Sequence, residues 1–374
     1  YLSAEPLAAA PGVLQPYPIL ALLRRAVEES NSQLPWLMDP LTFATLPCRV
    51  VTLEQRAFAV LGTSGSRPVL QFLWVEPAAR RQGLARALLM ALASPAMAAD
   101  TPSYGEKLEG FDYGWPVKHF TFTSQNQSLD MAYLDVKPEK PNGRTVVLMH
   151  GKNFCAGTWD GTIRALSARG YRVVAPDQIG FCKSTKPERY QYTFQQLADN
   201  THALLASLGV DRVTVIGHST GGMLATRYAL MWPQQVEQLV MINPIGLEDW
   251  KARGVPHITV DQWYQRELKV SADGIRQYEK NTYYAGEWKP EYERWVTMLA
   301  GLNNGPGKAR VAWNSALLYD MIYTQPVIYE FSELKMPVLL MIGTKDNTAI
   351  GKDLAPPEIR KTLGNYAVLG KETA

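Results

Sequence analysis

Residues 213–222 read Val-Thr-Val-Ile-Gly-His-Ser-Thr-Gly-Gly, and this stretch decides the fold. The β-branched run at 213–216 predicts a buried strand, and a helical pattern begins just after the glycine-flanked Ser219. A Gly-x-Ser-x-Gly pattern between a strand and a helix is typical of a sharp turn that lifts the serine hydroxyl clear of the backbone. We therefore interpret Ser219 as a nucleophile. An ordinary turn with a helix-capping serine is the alternative.

The same alternation of short apolar strands and helices extends to both sides of this turn. Further strands are predicted at residues 120–123, 131–136, 145–149, 172–175, 239–242 and 338–342. Helical patterns are predicted at residues 158–169, 194–208 and 222–232. Together they indicate an α/β fold with a doubly wound, mostly parallel sheet, whose ligands bind at the C-terminal ends of the strands. Residues 245–333 interrupt the alternation with helical, aromatic-rich sequence and predict an inserted cap.

His150, Gly151 and Lys152 follow the predicted strand at 145–149. A tetrahedral intermediate needs two preorganised hydrogen-bond donors on its oxygen. We predict that the backbone N–H groups of Lys152 and of Thr220, the residue after Ser219, are these donors. His150 is an alternative base, although its position favours a role in organising the loop.

An acidic residue follows the last clear strand, in Gly343-Thr344-Lys345-Asp346. A carboxylate at such a strand end can hold an imidazole in the correct tautomer and stabilise its charged form. Asp346 is therefore the predicted acid, with a polar turn aspartate as the alternative. Asp177, which follows the strand at 172–175, is interpreted as closing its own loop.

These motifs, in this order, resemble those of the α/β-hydrolase superfamily, and specifically its capped serine hydrolases, over about residues 110–374. The resemblance implies hydrolysis through an acyl-enzyme, without a cofactor, by a serine, an acid and a histidine in that chain order. Cys182 stands where many relatives have glycine. The resemblance also implies a histidine a few dozen residues beyond Asp346. None of the five histidines follows Asp346, so we expect a C-terminally truncated chain that lacks its base.

Residues 1–93 have a different character. Strands predicted at 49–53, 57–61 and 69–75 lead into a turn that contains Arg80, Gly83 and Ala85. This strand–turn–helix resembles the acetyl-CoA-binding motif of GNAT-type N-acetyltransferases, which implies a partial α+β acetyltransferase segment with these three residues at the pyrophosphate. A helix with a capping glycine is the alternative. In that family a further strand and a last helix complete the acetyl-CoA cleft, and the sequence has no room for them before residue 98.

Residues 84–98 resemble a secretory signal peptide, because arginines precede a short apolar run that ends in Ala96-Met97-Ala98. The alternative is an amphipathic helix followed by a linker. We expect a junction between two coding sequences here, with a hydrolase domain at 99–374. The hydrolase part would then be periplasmic or secreted, whereas a natural fusion would be cytoplasmic.

The net charge and the number of cysteines exclude some classes of partner and of scaffold. The 374 residues include 38 Lys+Arg and 35 Asp+Glu, so no strong net charge favours nucleic acid or a membrane surface. Three cysteines are too few for a disulfide scaffold. Because the resemblance places the strands before Cys155 and Cys182 side by side, these two cysteines are a candidate disulfide, with free packed thiols as the alternative.

The substrate prediction rests on the cap. It contains five of the ten tryptophans: Trp250, Trp263, Trp288, Trp295 and Trp313. Together with the eight tyrosines of the same stretch, these rings suggest an apolar, ring-lined chamber over Ser219 and a small to medium hydrophobic ester as substrate. An amide, a lactone or a carbon–carbon bond beside a carbonyl remains open. The alternative functions are an acetyltransferase–hydrolase fusion that uses acetyl-CoA and a non-catalytic binding protein.

Overall fold

The structure is a computed structural model that describes residues 102–374 and, before them, four strands at residues 2–6, 49–53, 57–64 and 67–75. The chain divides into two compact units, Tyr1–Asp100 and Thr101–Ala374. Arg80, Gly83 and Ala85, the segment 84–98 and the turn that would hold acetyl-CoA lie outside the described residues. Their predicted roles therefore stay predictions.

The first unit contains an antiparallel sheet in the order β1-β2-β3-β4. Its strands are β1 Leu2–Pro6, β2 Arg49–Leu53, β3 Ala57–Ser64 and β4 Arg67–Val75. The three strands predicted from the β-branched and aromatic runs are confirmed, and β3 and β4 are longer than predicted. The sequence pattern missed β1, because glutamate and proline within Leu2–Pro6 disfavour a strand.

The second unit is built on a seven-stranded sheet in the order β11-β10-β9-β7-β8-β6-β5. Its strands are β5 Lys118–Ser124, β6 Gln127–Val136, β7 Thr145–Met149, β8 Arg172–Pro176, β9 Val213–His218, β10 Val236–Ile242 and β11 Val338–Met341. β6 pairs antiparallel with both β5 and β8, whereas the remaining pairs are parallel. The predicted mostly parallel sheet is confirmed. Its central strands are apolar because helices cover both faces.

The strands β5 and β6 form a hairpin with a short turn. Gln125 and Asn126 alone connect the strands, with φ values of 48° and 59°. Two consecutive residues with positive φ are the geometry of a type I′ turn, which matches the twist of the paired strands. The strands therefore extend further towards the turn than their alternating pattern indicated.

Helices flank the sheet and build the cap. Around the sheet lie α1 Asp160–Ser167, α2 Phe194–Ser207 and α3 Thr220–Met231. Between β10 and β11 lie α4 Val260–Glu267, α5 Ala272–Thr282, α6 Glu293–Asn303 and α7 Lys308–Thr324, which confirms a helical insertion at the predicted place. The short α8 Pro357–Arg360 and α9 Tyr366–Thr373 follow β11. Within residues 102–374, none of these helices has the length and hydropathy that crossing a bilayer requires.

Candidate active site

Ser219 lies between β9 and α3 in a strained backbone conformation, with φ 56° and ψ −121°. A non-glycine residue with positive φ costs free energy and persists only where its surroundings hold it. Here the Ser219 N–H donates to the carbonyl of Ile242 at 3.2 Å, and its own carbonyl accepts from the Gly222 N–H at 2.8 Å. The predicted sharp turn is therefore present at Ser219.

The glycines around Ser219 allow three backbone segments to meet. A Cβ on Gly217 would lie 2.1 Å from the Gly221 carbonyl oxygen. A Cβ on Gly221 would lie 2.1 Å from the Met149 carbonyl oxygen, at the end of β7. Both positions therefore need glycine because backbone, rather than a movable side chain, occupies the space.

Replacing Gly221 with alanine should destabilise the fold by about 3 kcal/mol or more, because the new methyl group can be accommodated only by displacing backbone. Urea unfolding monitored by tryptophan fluorescence measures this loss. Gly161→Ala is the matched control: its Cβ meets nothing within 4 Å, and it lies in α1. That substitution should stabilise by up to ~1 kcal/mol. Equal stabilities for the two variants would contradict the close approach described here.

The two predicted oxyanion donors come from two segments that both adjoin Ser219. Thr220 begins α3, and Lys152 follows Gly151, whose added Cβ would lie 2.9 Å from the Ser219 Cβ. Neither the Lys152 nor the Thr220 amide has a hydrogen-bond acceptor among residues 102–374. Both N–H groups therefore lack an acceptor within the described part of the chain, as the predicted role requires.

The side chain of Lys152 joins this loop to the cap, which the sequence did not indicate. Its Nζ donates to the Ser315 hydroxyl at 2.7 Å and lies 3.5 Å from the Glu267 carboxylate. The same Nζ lies 3.6 Å from the centre of the Tyr319 ring, a cation–π contact. Burial lowers the pKa of Lys152, while Glu267 opposes this shift. Two cap helices thus hold the residue that offers a predicted oxyanion donor.

Asp346 follows β11 and is held by Asn243, a residue that the sequence analysis missed. The Asn243 Nδ2 donates to Asp346 Oδ2 at 2.7 Å, and the Thr348 N–H donates to Oδ1 at 2.9 Å. Asn243 directly follows β10, with φ 41°, and its Oδ1 accepts from the Gly343 N–H. Its position at a strand end was the one available sequence cue.

Two histidines lie near Ser219, and neither is suited to act as its base. His150 is buried: its Nδ1–H donates to the Gly151 carbonyl at 2.8 Å, and Nε2 accepts from the Gln178 N–H at 3.0 Å. Both ring nitrogens are therefore engaged in holding the loop. His218 packs against Phe154, and burial lowers its pKa to about 4. Such an imidazole accepts a proton from a serine poorly at neutral pH.

The other three histidines have partners elsewhere. His202 stacks on Trp232, His119 pairs with Asp130, and His257 lies 3.6 Å from Asp320. Within residues 102–374, no histidine makes a hydrogen bond to Asp346. The nucleophile and acid candidates are thus present without a suitable base.

The predicted loop role of Asp177 is matched by its contacts. It is fully buried, its Oδ1 accepts from the Ala156 N–H at 2.7 Å, and its Oδ2 accepts from the Tyr113 hydroxyl at 2.8 Å. Donor atoms of Asp177, Cys155 and Cys182 lie within 4.8 Å of one another, a spacing that could hold a metal ion. The two sulfurs are bonded to each other, however, so this group is a disulfide beside a satisfied carboxylate.

The Cys155–Cys182 disulfide confirms the candidate pairing, with a Cα–Cα distance of 5.8 Å. It links the loops after β7 and β8 and lies three residues beyond Lys152. Replacing both cysteines with serine should lower the free energy of unfolding by about 3 kcal/mol, because the unfolded chain loses a loop constraint. Urea unfolding with and without reductant measures the difference. Two titratable thiols in the unfolded, unreduced protein made under oxidising conditions would contradict the bond.

A cavity of about 330 Å³ lies between the cap and the core loops. Its aromatic lining consists of Phe181, Tyr278 and Tyr319, and no tryptophan contributes to it. Two rings of the cap, Tyr278 and Tyr319, thus line an apolar cavity as expected, whereas the tryptophans do not, and Ser219 is not among the lining residues. The indole rings pack the cap instead: Trp263 stacks on Tyr319 at 4.2 Å, and Trp250 is buried. Large rings gain most from full burial between helices.

Comparisons with known proteins agree with this architecture. A solved "probable hydrolytic enzyme" from Pseudomonas aeruginosa PAO1 is 68% identical, with a TM-score of 0.73 over 73% of this chain and 88% of that chain. A cis-3-alkyl-4-alkyloxetan-2-one decarboxylase from Xanthomonas campestris is 33% identical over 38% of this chain and 52% of its own length. A 2-hydroxy-6-oxo-2,4-heptadienoate hydrolase from Pseudomonas putida is 32% identical over 28% of this chain and 39% of its own length.

The chain spans about half, or less, of the length of these curated relatives. The named hydrolases among them support an enzyme of the hydrolase type. Residues 144–354, more than half of the chain, match the family model described as alpha/beta hydrolase fold. The chain therefore belongs to the α/β-hydrolase fold family.

Proposed function

We propose that this protein is a serine hydrolase that cleaves an ester, or a related acyl bond, of a small to medium apolar substrate through an acyl-enzyme. The observation that carries the proposal is the strained Ser219, with φ 56°, at the start of α3. Such strain is retained where a turn presents a nucleophile. The positive end of the helix also favours negative charge that develops beside it.

In the proposed reaction, the Ser219 Oγ attacks the substrate carbonyl carbon while a base removes its proton. The carbonyl oxygen becomes an oxyanion that accepts hydrogen bonds from the Lys152 and Thr220 N–H groups. The leaving group takes the proton from the base, and an acyl-enzyme forms. Water then attacks this ester by the same steps and releases the acid and Ser219. No cofactor enters these steps.

Asp346 is the proposed acid, and it needs a histidine that residues 102–374 do not place beside it. Asn243 and the Thr348 N–H hold the Asp346 carboxylate in place. We propose that a longer form of the chain supplies the imidazole, which Asp346 orients and stabilises when charged. A non-catalytic binding protein is the competing outcome, and the experiments in the Discussion separate the two.

We also propose that the hydrolase part matures in the periplasm or is secreted. The Cys155–Cys182 bond supports this location because disulfides persist in oxidising compartments. The substrate is then a small molecule that reaches this compartment.

Hydrolysis of p-nitrophenyl esters of increasing acyl length, by a form of the protein that supplies the histidine or by residues 1–374 with added imidazole, tests the substrate class. We expect kcat/KM to peak at medium acyl lengths, about the hexanoate, and to fall for the laurate. A cavity of about 330 Å³ is at the small end of the range for ligand sites and holds a medium chain. A kcat/KM that keeps rising through the laurate would contradict a small to medium substrate.

A further inference from the structure

The cavity between the cap and the core is shaped for an aliphatic ligand. Most of its wall is apolar, with side chains from α5, α6 and α7. These residues are Ile275, Leu299, Leu302, Val311 and Leu318. Its floor includes Lys152 and Asn153, and Lys152 is joined to Gly151, which packs against Ser219. Ser219 is not itself among the lining residues, and the cavity is linked to it through the backbone of Lys152 and Gly151.

The buried cations of the lining, and Arg266, do not offer a free charge to a ligand. Lys152 is paired with Glu267 at 3.5 Å, and Arg266 pairs with a carboxylate. Lys186 donates to two backbone carbonyls, and burial lowers its pKa to about 7. Lys269 is exposed to solvent. Each buried cation is thus either paired with a carboxylate or has a lowered pKa that favours its neutral form.

Glu279 is the exception among the charged groups of the lining. It is 1% exposed, and neither carboxylate oxygen has a hydrogen-bond partner among residues 102–374. A buried carboxylate without a partner is costly, and such a group in a native fold calls for an explanation. Burial, together with the nearby charge of Glu293, raises the pKa of Glu279 to about 7, while Arg276 opposes this rise.

The groups around Glu279 do not supply the missing partner in this structure. Arg276 donates to Glu293 and to Asp273, so its guanidinium is occupied. The Tyr283 hydroxyl accepts from Asn153 at 3.3 Å and makes no hydrogen bond to Glu279. A ligand with its own N–H donors is the remaining source of hydrogen bonds.

We propose that this cavity binds a primary alkylammonium group through Glu279, so that the hydrolase acts on acyl compounds that carry an aliphatic amine. A cation satisfies a buried carboxylate better than a neutral donor, because the hydrogen bond is charge-assisted. The ammonium also offers three N–H donors for the two oxygens. The catalytic consequence rests on the proposed function, but binding of the amine does not.

Isothermal titration of residues 1–374 with n-hexylammonium and with hexan-1-ol at about pH 8 tests the site. The two ligands share a chain length and differ in the charged donor. We expect the ammonium to bind at least ~10-fold more tightly, since charge-assisted hydrogen bonds are roughly twice as strong as neutral ones. Equal affinities would overturn the proposal.

Glu279→Gln should lower the affinity for n-hexylammonium by ~10-fold and leave the affinity for hexan-1-ol unchanged. Glu287→Gln is the matched control, because it removes the same charge from an exposed position in the same cap. If Glu279→Gln retains the preference for the ammonium, Glu279 is not the anchor.

A measurement on the unsubstituted protein covers the case in which Glu279→Gln fails to fold. With carbon-13 in the glutamate carboxyl groups, the resonance that titrates near pH 7 should shift to a lower pKa when hexylammonium binds. An unchanged titration would overturn the proposal. Ser219→Ala should bind hexylammonium like the parent chain, so failure of the nucleophile and failure of this site give different results.

Discussion

Replacing Ser219 with alanine should lower kcat/KM for p-nitrophenyl butyrate by roughly 10⁶-fold in a form of the protein that supplies the histidine. Loss of a serine nucleophile typically lowers the rate by about this factor. Some catalysis is left because the oxyanion donors and substrate binding remain. The residual rate should still exceed the rate of the uncatalysed reaction in water by ~10³–10⁴-fold. Steady-state kinetics at saturating and at low substrate concentrations measures kcat and kcat/KM.

Ser128→Ala is the matched control, because Ser128 is exposed and lies on the strand β6, away from the turn at Ser219. Its kcat/KM should equal that of the parent protein. If Ser219→Ala keeps most of the activity while its folded structure is unchanged, the acyl-enzyme mechanism proposed for Ser219 is wrong.

Adding imidazole to residues 1–374 should accelerate ester hydrolysis, because these residues offer Ser219 no suitable base. General base catalysis contributes about 10²–10⁴-fold, and a diffusing imidazole should recover at least ~10-fold of it. The acceleration should saturate with imidazole concentration and disappear in Ser219→Ala. Initial rates with p-nitrophenyl butyrate, corrected for the reaction of imidazole in buffer, measure the effect.

High turnover by residues 1–374 without imidazole would contradict the missing base. His218 would then be the first candidate to reconsider, despite the pKa of about 4 that burial gives it. The absence of any rescue, together with no reaction at Ser219, would favour a non-catalytic binding protein.

The sequence was sufficient for the parts of the fold that depend on neighbouring residues. The β-branched run before Ser219 and the glycines on either side of it predicted β9, the turn and α3. These glycines have close-packed backbone as neighbours, so local sequence and tertiary structure agree at this point. The same local reasoning found β7 and β8, whose apolar residues are buried in the sheet.

The rest depends on contacts between residues far apart in the chain, which periodicity does not encode. Asn243 and Asp346 are separated by 103 residues and meet only because β10 and β11 are neighbours. Likewise, Lys152 reaches Ser315 across 163 residues, through the way the cap folds over the core. The sequence did not indicate which cap rings line the cavity, because an aromatic-rich composition does not distinguish rings that pack helices from rings that line a cavity.

The most direct test of the central claim is the residue at which a fluorophosphonate reacts. Residues 1–374 are incubated with the probe in the presence of imidazole, and the modified peptide is sequenced by mass spectrometry. We predict a single adduct on Ser219 that is absent in Ser219→Ala. An adduct on another residue, or no adduct from a folded protein with imidazole present, would contradict the claim that Ser219 is the nucleophile of this hydrolase.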